Sequence, residues 1–295
     1  MNYYINVRGG LGKNLSLARF ISSYKRSKEF TDERFFILSP YWDLFESCPA
    51  VDYVYKPEHL QAFIKDAADG RIIIDHMYDE DWFIKKTCNY IHAWGKMLGL
   101  KPPKILVDDF LDPVAKFPTI TDDLSKFDIE DFAIMQFWGG QSPLDDSNNE
   151  YSVENDPLKR AYPVKYAQEF VNLYKKQYPD RKIYLFSLPN EPEIEHTEKI
   201  LVPYLTYYEL AKHAKEFISI DSSLQHLITG LCPGNVIWGL THPDHFGYAE
   251  NNNILQNCRR DDVLYFTELG PSNNRVDYIS AEELLKKVAK NEKNL

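Results

Sequence analysis

The chain has 295 residues, of which 44% are hydrophobic, 14% aromatic and 26% charged, and this composition excludes a disordered or fibrous protein. Its 44 acidic residues outnumber its 34 basic ones and give a net charge of -10, which argues against a protein built mainly to coat nucleic acid. The apolar runs are too short to span a bilayer, the N-terminus has no signal-peptide pattern and the four cysteines are scattered, so we expect a cytoplasmic protein with reduced thiols.

The first half of the chain alternates predicted strands with predicted helices. Short apolar runs predict strands at Tyr3–Val7, Arg34–Leu38, Tyr53–Tyr55 and Arg71–Asp75. Apolar periodicity predicts helices at Asn14–Ser27, His59–Ala68 and Trp82–Leu98. This alternation is typical of an α/β unit built on a parallel sheet.

The second half repeats the same rhythm. Strands are predicted at Phe132–Phe137, Lys182–Phe186, Phe217–Ile220 and Asn235–Trp238, with a polar loop at Gln141–Asn155. Helices are predicted at Val164–Gln177, Thr206–Lys215, Gln225–Gly230 and Ser280–Asn291. The last of these helices begins with a capping box, in which Ser280 is the N-cap and Glu283 follows three residues later.

Two α/β halves in tandem indicate two Rossmann-like domains that face a cleft. Prolines and a polar stretch between Asp112 and Asp131 mark the linker. We therefore predict a first domain at residues 1–118, a second at residues 119–275, and a C-terminal helix at residues 276–295 that could pack back on the first domain.

A glycine-rich turn joins the first strand to the first helix. It contains Gly9, Gly10 and Gly12, and Asn14 follows it. Glycines let a ligand approach the backbone at a helix N-terminus. The spacing fits neither a P-loop nor a dinucleotide-binding motif, so the turn is either a ligand site of another kind or a tight turn without a ligand.

A second candidate turn follows the predicted strand that ends at Asp221. Ser222 and Ser223 come next, and the helix after them carries His226. Either serine can cap that helix, and its exposed N–H groups would then attract an anion. Ligands of open parallel sheets gather at such strand ends, although a plain helix cap is the alternative.

The order of these motifs resembles that of glycosyltransferase family 9, the lipopolysaccharide heptosyltransferases. Family members have an Asp-Thr-Gly-x-x-His turn, an apolar strand, and then Phe-Gly-x-Thr-x-Pro. This chain has Asp221–His226 and then Trp238–Pro243, which contains Gly239 and Thr241.

Three weaker motifs lie upstream in the order of the family. Lys159–Pro163 is similar to the family's Lys-x-Trp-Pro, Glu191 to a glutamate after its next strand, and Leu11–Lys13 to its Leu-Gly-Asp. The resemblance therefore covers most of the chain. Two positions depart from the family, because Lys13 replaces an aspartate proposed as the catalytic base and Ser223 replaces the glycine of the phosphate turn.

The resemblance implies the GT-B fold, with an acceptor in the first domain and a nucleotide sugar in the second. The departing diphosphate needs positive charge or N–H donors around it, and basic side chains and helix-end amides supply these without a metal. The donor-binding candidates are Lys159, Arg160, Glu191, Asp221, Ser222, Ser223, His226, Gly239 and Thr241.

An inverting transfer also needs a base for the acceptor hydroxyl. A lysine such as Lys13 is normally protonated near neutral pH, so we expect it to bind the donor phosphate or an anionic acceptor instead. Asp75 and His76 follow a predicted strand of the first domain, and we rank Asp75 first and His76 second as the base. No spaced acidic pair lies at a strand end, so we expect no metal and no cofactor besides the donor substrate.

The leading interpretation is an inverting glycosyltransferase of glycan or lipopolysaccharide synthesis, free in the cytoplasm or peripheral at the inner membrane face. The acceptor would be a glycan or a lipid-linked sugar. One alternative is a phage-type enzyme that modifies hydroxymethylated DNA bases, with Lys13, Lys85 and Lys86 near the duplex. Another is a catalytically inactive nucleotide-sugar-binding protein, which the lysine at position 13 favours.

Overall fold

The computed structural model describes residues 1–27, 32–46, 48–77, 80–84, 89–101, 124–139, 160–239, 241, 246–248, 252–256 and 278–292. The chain divides into two compact units, Met1–Thr119 and Ile120–Leu295. The predicted boundary between residues 118 and 119 lies outside the described residues.

The first unit is built on a four-stranded sheet in which every strand pairs in parallel. In chain order its strands are β1 (Asn2–Asn6), β2 (Arg34–Leu38), β3 (Tyr53–Tyr55) and β4 (Arg71–Ile74), and in space they run β3-β2-β1-β4. The helices are α1 (Leu11–Arg26), α2 (Trp42–Glu46), α3 (Leu60–Asp66), α4 (Asp81–Ile84) and α5 (Tyr90–Leu98), with short 3-10 turns at Pro57–His59 and Ala67–Asp69.

The second unit is built on a six-stranded sheet, again parallel throughout. Its strands are β5 (Phe132–Gln136), β6 (Lys182–Phe186), β7 (Glu198–Ile200), β8 (Glu216–Ile220), β9 (Gly234–Trp238) and β10 (Asn252–Gln256). In space they run β10-β9-β8-β5-β6-β7. Its helices are α6 (Val164–Gln177), α7 (Tyr204–Ala211), α8 (Ser223–Ile228) and α9 (Ala281–Glu292), and a 3-10 turn spans Leu124–Lys126.

The central strands of the second sheet are buried along their whole length. Every residue of β5, β8 and β9 is buried, as expected for parallel strands that helices cover on both faces. On one face, α6 and α9 contribute to a single apolar cluster that includes Phe170, Leu284 and Val288. The apolar runs of the sequence therefore form the buried layer between strands and helices, and this layer fixes the positions of the strand ends.

Most predicted elements are present, and the differences have local causes. The strands β7 and β10 and the helix α2 were not predicted, because they are short and carry polar or charged residues. The predicted helix Trp82–Leu98 is instead two helices, α4 and α5, and Asn89 caps the second by accepting a hydrogen bond from the Ile91 N–H at 3.0 Å.

The final helix begins as the sequence predicts. The Ser280 hydroxyl accepts the Glu283 N–H at 3.2 Å, which confirms half of the capping box. The apolar face of α9 packs on α6 in the core of the second unit. Its buried side chains complete the apolar layer over β5 and β8.

A buried polar network lies at the amino end of the second sheet. The Glu216 carboxylate accepts hydrogen bonds from Tyr174 at 2.6 Å, Arg181 at 3.3 Å and Asn235 at 3.2 Å. Burial, and the charge of Glu216 next, raise the pKa of Tyr174, so its hydroxyl stays a donor. This network ties α6, β8 and β9 together at the end of the sheet opposite the candidate turns.

We predict that Glu216→Ala destabilises the fold by about 3–5 kcal/mol, because it leaves the buried partners of the carboxylate without their acceptor. The matched control is Asp131→Ala, which removes the exposed partner that Arg181 contacts at 3.0 Å and should cost less than about 1 kcal/mol. Denaturant unfolding measures both changes. Equal stability of the two variants would show that Glu216 has no special role.

Candidate functional site

The carboxyl end of the first sheet brings together two segments that are distant in sequence. The strands β1 and β4 are neighbours, so the turn after Asn6 lies beside Asp75. The Asp75 N–H donates to the Asn6 carbonyl at 3.3 Å. Gly9 has a φ of 108°, a conformation that side chains rarely adopt, and an added Cβ there would lie 3.5 Å from Cδ of Lys13.

Lys13 and Asp75 form a close ion pair. Nζ of Lys13 lies 2.6 Å from Oδ2 of Asp75, and the exposed fractions of the two side chains are 10% and 0%. The other carboxylate oxygen, Oδ1, is buried and accepts no hydrogen bond from any described residue. The lysine that replaces the acid of the family's Leu-Gly-Asp motif therefore has a carboxylate beside it, supplied by the neighbouring strand.

Asn14 is a structural brace of the glycine-rich turn. It is fully buried, and its Nδ2 donates to the Gly10 carbonyl at 3.0 Å. Its Oδ1 accepts from the hydroxyl of Ser39, which follows β2, at 2.6 Å. Because both ends of its amide form hydrogen bonds within the protein, Asn14 stabilises the conformation of the glycine-rich turn.

His76 is the accessible titratable group of this strand end. Its side chain is 53% exposed, its Nδ1 lies 2.6 Å from the Ile74 carbonyl and its Nε2 lies 2.9 Å from Glu80. The pKa of His76 is raised overall. The hydrogen bond to the Ile74 carbonyl is the largest cause, and the charges of Glu80 and Asp75 add to it, while partial burial acts in the opposite direction. The Ile74 carbonyl also fixes a proton on Nδ1, so Nε2 is the atom that can gain or lose one.

An open groove of about 590 Å³ runs beside His76 along β4. Its lining combines apolar, aromatic and basic side chains, and the ammonium of Lys96 lies 5.0 Å from the Trp82 ring centroid. The lining residues are Arg71, Ile72, Ile73, Ile74, His76, Glu80, Trp82, Lys96 and Met97.

In the second sheet, the strand order reverses between β5 and β8. From β5 the chain moves outward to β6 and β7, and it then returns to the other side of β5 to form β8, β9 and β10. In open parallel sheets such a switch point leaves a crevice at the carboxyl ends of the two strands, where ligands bind. Gln136 ends β5, and Asp221 and Ser222 follow β8 at this point.

Ser222 caps α8 and contacts the central strand. Its hydroxyl oxygen accepts the Leu224 N–H at 3.3 Å and donates to Oε1 of Gln136. Gly139, with a φ of 149°, lies directly over this contact, and an added Cβ there would come within 2.6 Å of Nε2 of Gln136. The serine turn and the loop after β5 are therefore one packed structure.

The other polar groups of the turn are largely buried. Asp221 accepts a hydrogen bond from Nε2 of Gln225 at 2.5 Å, within its own turn. Nδ1 of His226 and the Tyr248 hydroxyl are 2.7 Å apart. Ser223 is the first residue of α8, and its side chain is partly exposed.

Backbone pairing places Arg160 beside the same loop. The Tyr162 N–H donates to the Phe137 carbonyl at 2.9 Å, and the Trp138 indole donates to the Tyr162 carbonyl at 3.0 Å. Arg160 lies two residues before this double contact, and it is partly exposed. Lys159, its predicted partner, lies outside the described residues.

The remaining donor candidates lie after β6 and β9. Glu191 accepts the Leu188 N–H at 2.6 Å and the Ser187 hydroxyl at 3.1 Å. Its Oε1 is buried and accepts no hydrogen bond from the described residues. Burial raises the pKa of Glu191 above the usual range. Thr241 is buried, and its hydroxyl has no hydrogen-bond partner in the part of the chain that the structure describes. Gly239 directly follows β9.

Sequence reasoning missed Gln136 and Gly139. A signal was present, because Gln136 is the polar residue that ends the apolar run Phe132–Gln136, just as Asp75 and Asp221 follow theirs. Within the described ranges, no group of three His, Cys, Asp or Glu residues could hold a metal ion, and no helix is long and apolar enough to cross a membrane.

Comparisons with known proteins identify the fold. No protein-family model matches the sequence, and no curated protein matches it. The E. coli heptosyltransferase WaaC with ADP superposes with a TM-score of 0.61 at 14% identity, over 99% of this chain and 100% of that one. A family 9 glycosyltransferase from Veillonella parvula gives a TM-score of 0.62 at 12% identity, over 98% and 96% of the two chains.

A third similar structure is of a glycosyltransferase that is described as containing iron. The dodecameric glycosyltransferase TibC from enterotoxigenic E. coli, described as iron-containing, gives a TM-score of 0.62 at 12% identity over 99% of this chain and 76% of that one. Together these structures show that the chain has the α/β GT-B fold of heptosyltransferases and family 9 glycosyltransferases, as the sequence predicts.

We predict that Lys13→Met destabilises the first unit by about 3–5 kcal/mol, because it leaves the buried Asp75 carboxylate without its cation. The double variant Lys13→Met/Asp75→Leu should recover most of that loss. Lys25→Met is the control, because it breaks a more exposed pair with Asp52, 2.8 Å long, and should cost less than about 1 kcal/mol. Chemical denaturation compares the four proteins, and a single variant as stable as the double one would contradict the prediction.

Proposed function

We propose that this chain is an inverting glycosyltransferase, which transfers a sugar from a nucleoside-diphosphate sugar to an acceptor hydroxyl in glycan or lipopolysaccharide synthesis. The observation that carries the proposal is the polar cluster at the β5–β8 switch point, formed by the residues that match the donor motif of family 9. The ADP bound to WaaC supports a nucleotide donor for a chain of this fold. Fold alone would not support this assignment, because one fold serves many reactions.

In this proposal the second unit binds the donor. Arg160 faces the diphosphate, and the backbone N–H groups at Ser222 and Ser223 and the ring of His226 supply further donors around it. Lys159 is assigned to the same role from its sequence motif alone. Glu191 holds ribose hydroxyls, for which its buried Oε1 is a suitable acceptor. Asp221 holds the turn through Gln225, and Gly239 and Thr241 line the sugar side. The leaving-group charge is met by cationic and N–H groups, so transfer needs no divalent ion.

The first unit takes the acceptor and its proton. Asp75 ranks first as the base in the sequence, but the structure favours His76, because the Asp75 side chain is fully buried against Lys13 and His76 is 53% exposed. A base must come within hydrogen-bond reach of the acceptor hydroxyl. The exposed ring of His76 is accessible while Lys13 stays on Asp75, and its Nε2 would exchange Glu80 for the acceptor. The Lys13–Asp75 pair would then hold the glycine-rich turn and the strand end together.

The acceptor would bind along the groove beside His76. Its apolar and aromatic lining suits a sugar ring or a lipid-linked sugar, and its basic residues suit an anionic group on either. The exposed His76 favours an enzyme over an inactive binding protein, because it supplies a titratable group at the strand end beside position 13, where the acid of the family motif is absent.

The direct test is to identify the nucleotide sugar that the purified protein retains, by mass spectrometry. That donor is then incubated with glycan, lipid-linked and hydroxymethylated-DNA acceptors, with and without a chelator, and nucleotide release is measured. Acceptor-dependent release with inverted anomeric stereochemistry supports the proposal. Donor binding without release on any acceptor would indicate a binding protein, and release that a chelator abolishes and magnesium, manganese or iron restores would show a metal requirement.

We predict that Arg160→Ala weakens binding of the nucleoside diphosphate by about 1.5–3 kcal/mol, the usual loss for a charge-assisted hydrogen bond. Calorimetry measures the change. The matched control is Lys176→Ala, which removes the same charge from an exposed position on α6 and should leave the affinity unchanged. Unchanged affinity in a folded Arg160→Ala protein would remove Arg160 from the site.

We also predict that His76→Ala lowers turnover by about 10²–10⁴-fold, the range for loss of a general base. The base must be neutral, so kcat/KM should rise with pH, with its midpoint above about 6.5 because the pKa of His76 is raised. Glu80→Gln removes a negative neighbour that raises the pKa of His76, so it should move that midpoint to lower pH.

The control for the pH shift is Glu58→Gln, an exposed acid elsewhere in the first unit. A folded Asp75→Asn protein separates the two candidate bases. If Asp75→Asn abolishes turnover and His76→Ala does not, Asp75 is the base and Lys13 must move aside during the reaction.

A further inference from the structure

Gln136 is a buried amide that lacks one of its hydrogen-bond partners. Its side chain is 4% exposed, and it lies at the carboxyl end of β5, at the switch point of the second sheet. Oε1 accepts the Ser222 hydroxyl, and no described residue accepts a hydrogen bond from Nε2. Nε2 is not one of the fully buried polar atoms that lack a partner, so the NH₂ group keeps a path to solvent and a ligand can reach it.

The orientation of the amide follows from its contact with Ser222. The Ser222 oxygen accepts the Leu224 N–H, and the Ser222 hydroxyl donates to Oε1 of Gln136. Since Oε1 takes this proton, the other end of the amide is the NH₂ group. The NH₂ group therefore lies on the side of Gly139, where a side chain is excluded because a Cβ would come within 2.6 Å of it.

The surroundings indicate what the partner is. The NH₂ group can only donate, so the atom that it contacts must be an acceptor oxygen. The loop that covers it is tied through Phe137 to Tyr162, two residues from the cation of Arg160, and a cation next to neutral N–H donors suits an oxyanion.

We propose that the Gln136 side-chain amide binds an oxygen of the donor's diphosphate. This inference rests on the proposed function, and it adds a residue that none of the sequence motifs includes. Gln136 then has two roles, because the same amide holds the Ser222 hydroxyl with its oxygen and the ligand with its nitrogen. The serine turn and the diphosphate are thereby aligned on the central strand of the sheet.

The test uses Gln136→Glu and Gln136→Met. Glutamate keeps an acceptor for Ser222 and removes the NH₂ group, while methionine removes the amide and adds no charge. Calorimetry with ADP, UDP, GDP and CDP first selects the diphosphate that the wild-type protein binds best. Both variants should bind it about ten- to hundredfold more weakly, with melting temperatures near that of the wild type and little change for the matching nucleoside.

The control is Gln177→Met, which makes the same substitution at an exposed glutamine of α6 and should not change either affinity. Wild-type affinity in both variants would overturn the inference. So would a loss seen only with glutamate, which would indicate charge repulsion, or an equal loss for the nucleoside, which would indicate a structural role. If the wild-type protein binds no nucleoside diphosphate, the proposed function itself fails.

If Gln136→Met does not fold, the wild-type protein answers the question directly. In a ¹⁵N-labelled sample, the side-chain NH₂ signals of Gln136, identified by their absence in Gln136→Glu, should shift when the diphosphate is added and not when the nucleoside is added. Signals that stay in place at saturating diphosphate would overturn the inference.

Discussion

Parallel pairing of every strand is the constraint on which the rest of this structure depends. Because the strands of a parallel sheet run in one direction, each connection must cross back over a face of the sheet, and all carboxyl ends meet at one edge. Residues that follow different strands are thereby brought together, as Lys13 and Asp75 are in the first unit and Gln136 and Ser222 are in the second. Both candidate sites are products of this geometry.

The two ends of the second sheet differ in how fully their polar groups are satisfied. At the amino end, Glu216 binds three partners on three elements and fixes their packing. At the carboxyl end, Glu191 and Thr241 keep buried atoms without partners in the described part of the chain. Such atoms destabilise a protein, so their concentration at one edge is expected when a ligand completes them.

Local patterns were sufficient to predict the elements but not their neighbours. The apolar runs and their flanking glycines and serines predicted the central strands, the long helices and the turns that end at Asp75 and Asp221. Short polar strands such as β7 carry too weak a pattern to be recognised. Gln136 and Ser222 are 86 residues apart, and their contact depends on the order of strands in the sheet, which no local pattern contains.

The resemblance in motif order predicted more than periodicity could. It identified the GT-B fold, which the superpositions confirm, at sequence identities of 12–14% to the solved structures. The resemblance could not predict how exposed each side chain is or which hydrogen bonds it makes. The exposed side chain of His76 makes it a better candidate base than the buried Asp75. The hydrogen bonds of Asn14 show that it braces its turn and is not available to a ligand.

The ion pair between Lys13 and Asp75 also limits how these two positions can change during evolution. An acid at position 13, as in the family motif, would place two carboxylates in one buried space, and repulsion and burial together would oppose their charging. The two sites are therefore coupled: relatives with an acid at position 13 should carry a neutral or basic residue at position 75. In this chain the positive charge is on position 13 and the negative charge on position 75. Exchanging the two residues, with aspartate at 13 and lysine at 75, would keep the ion pair and would be tolerated better than either substitution alone.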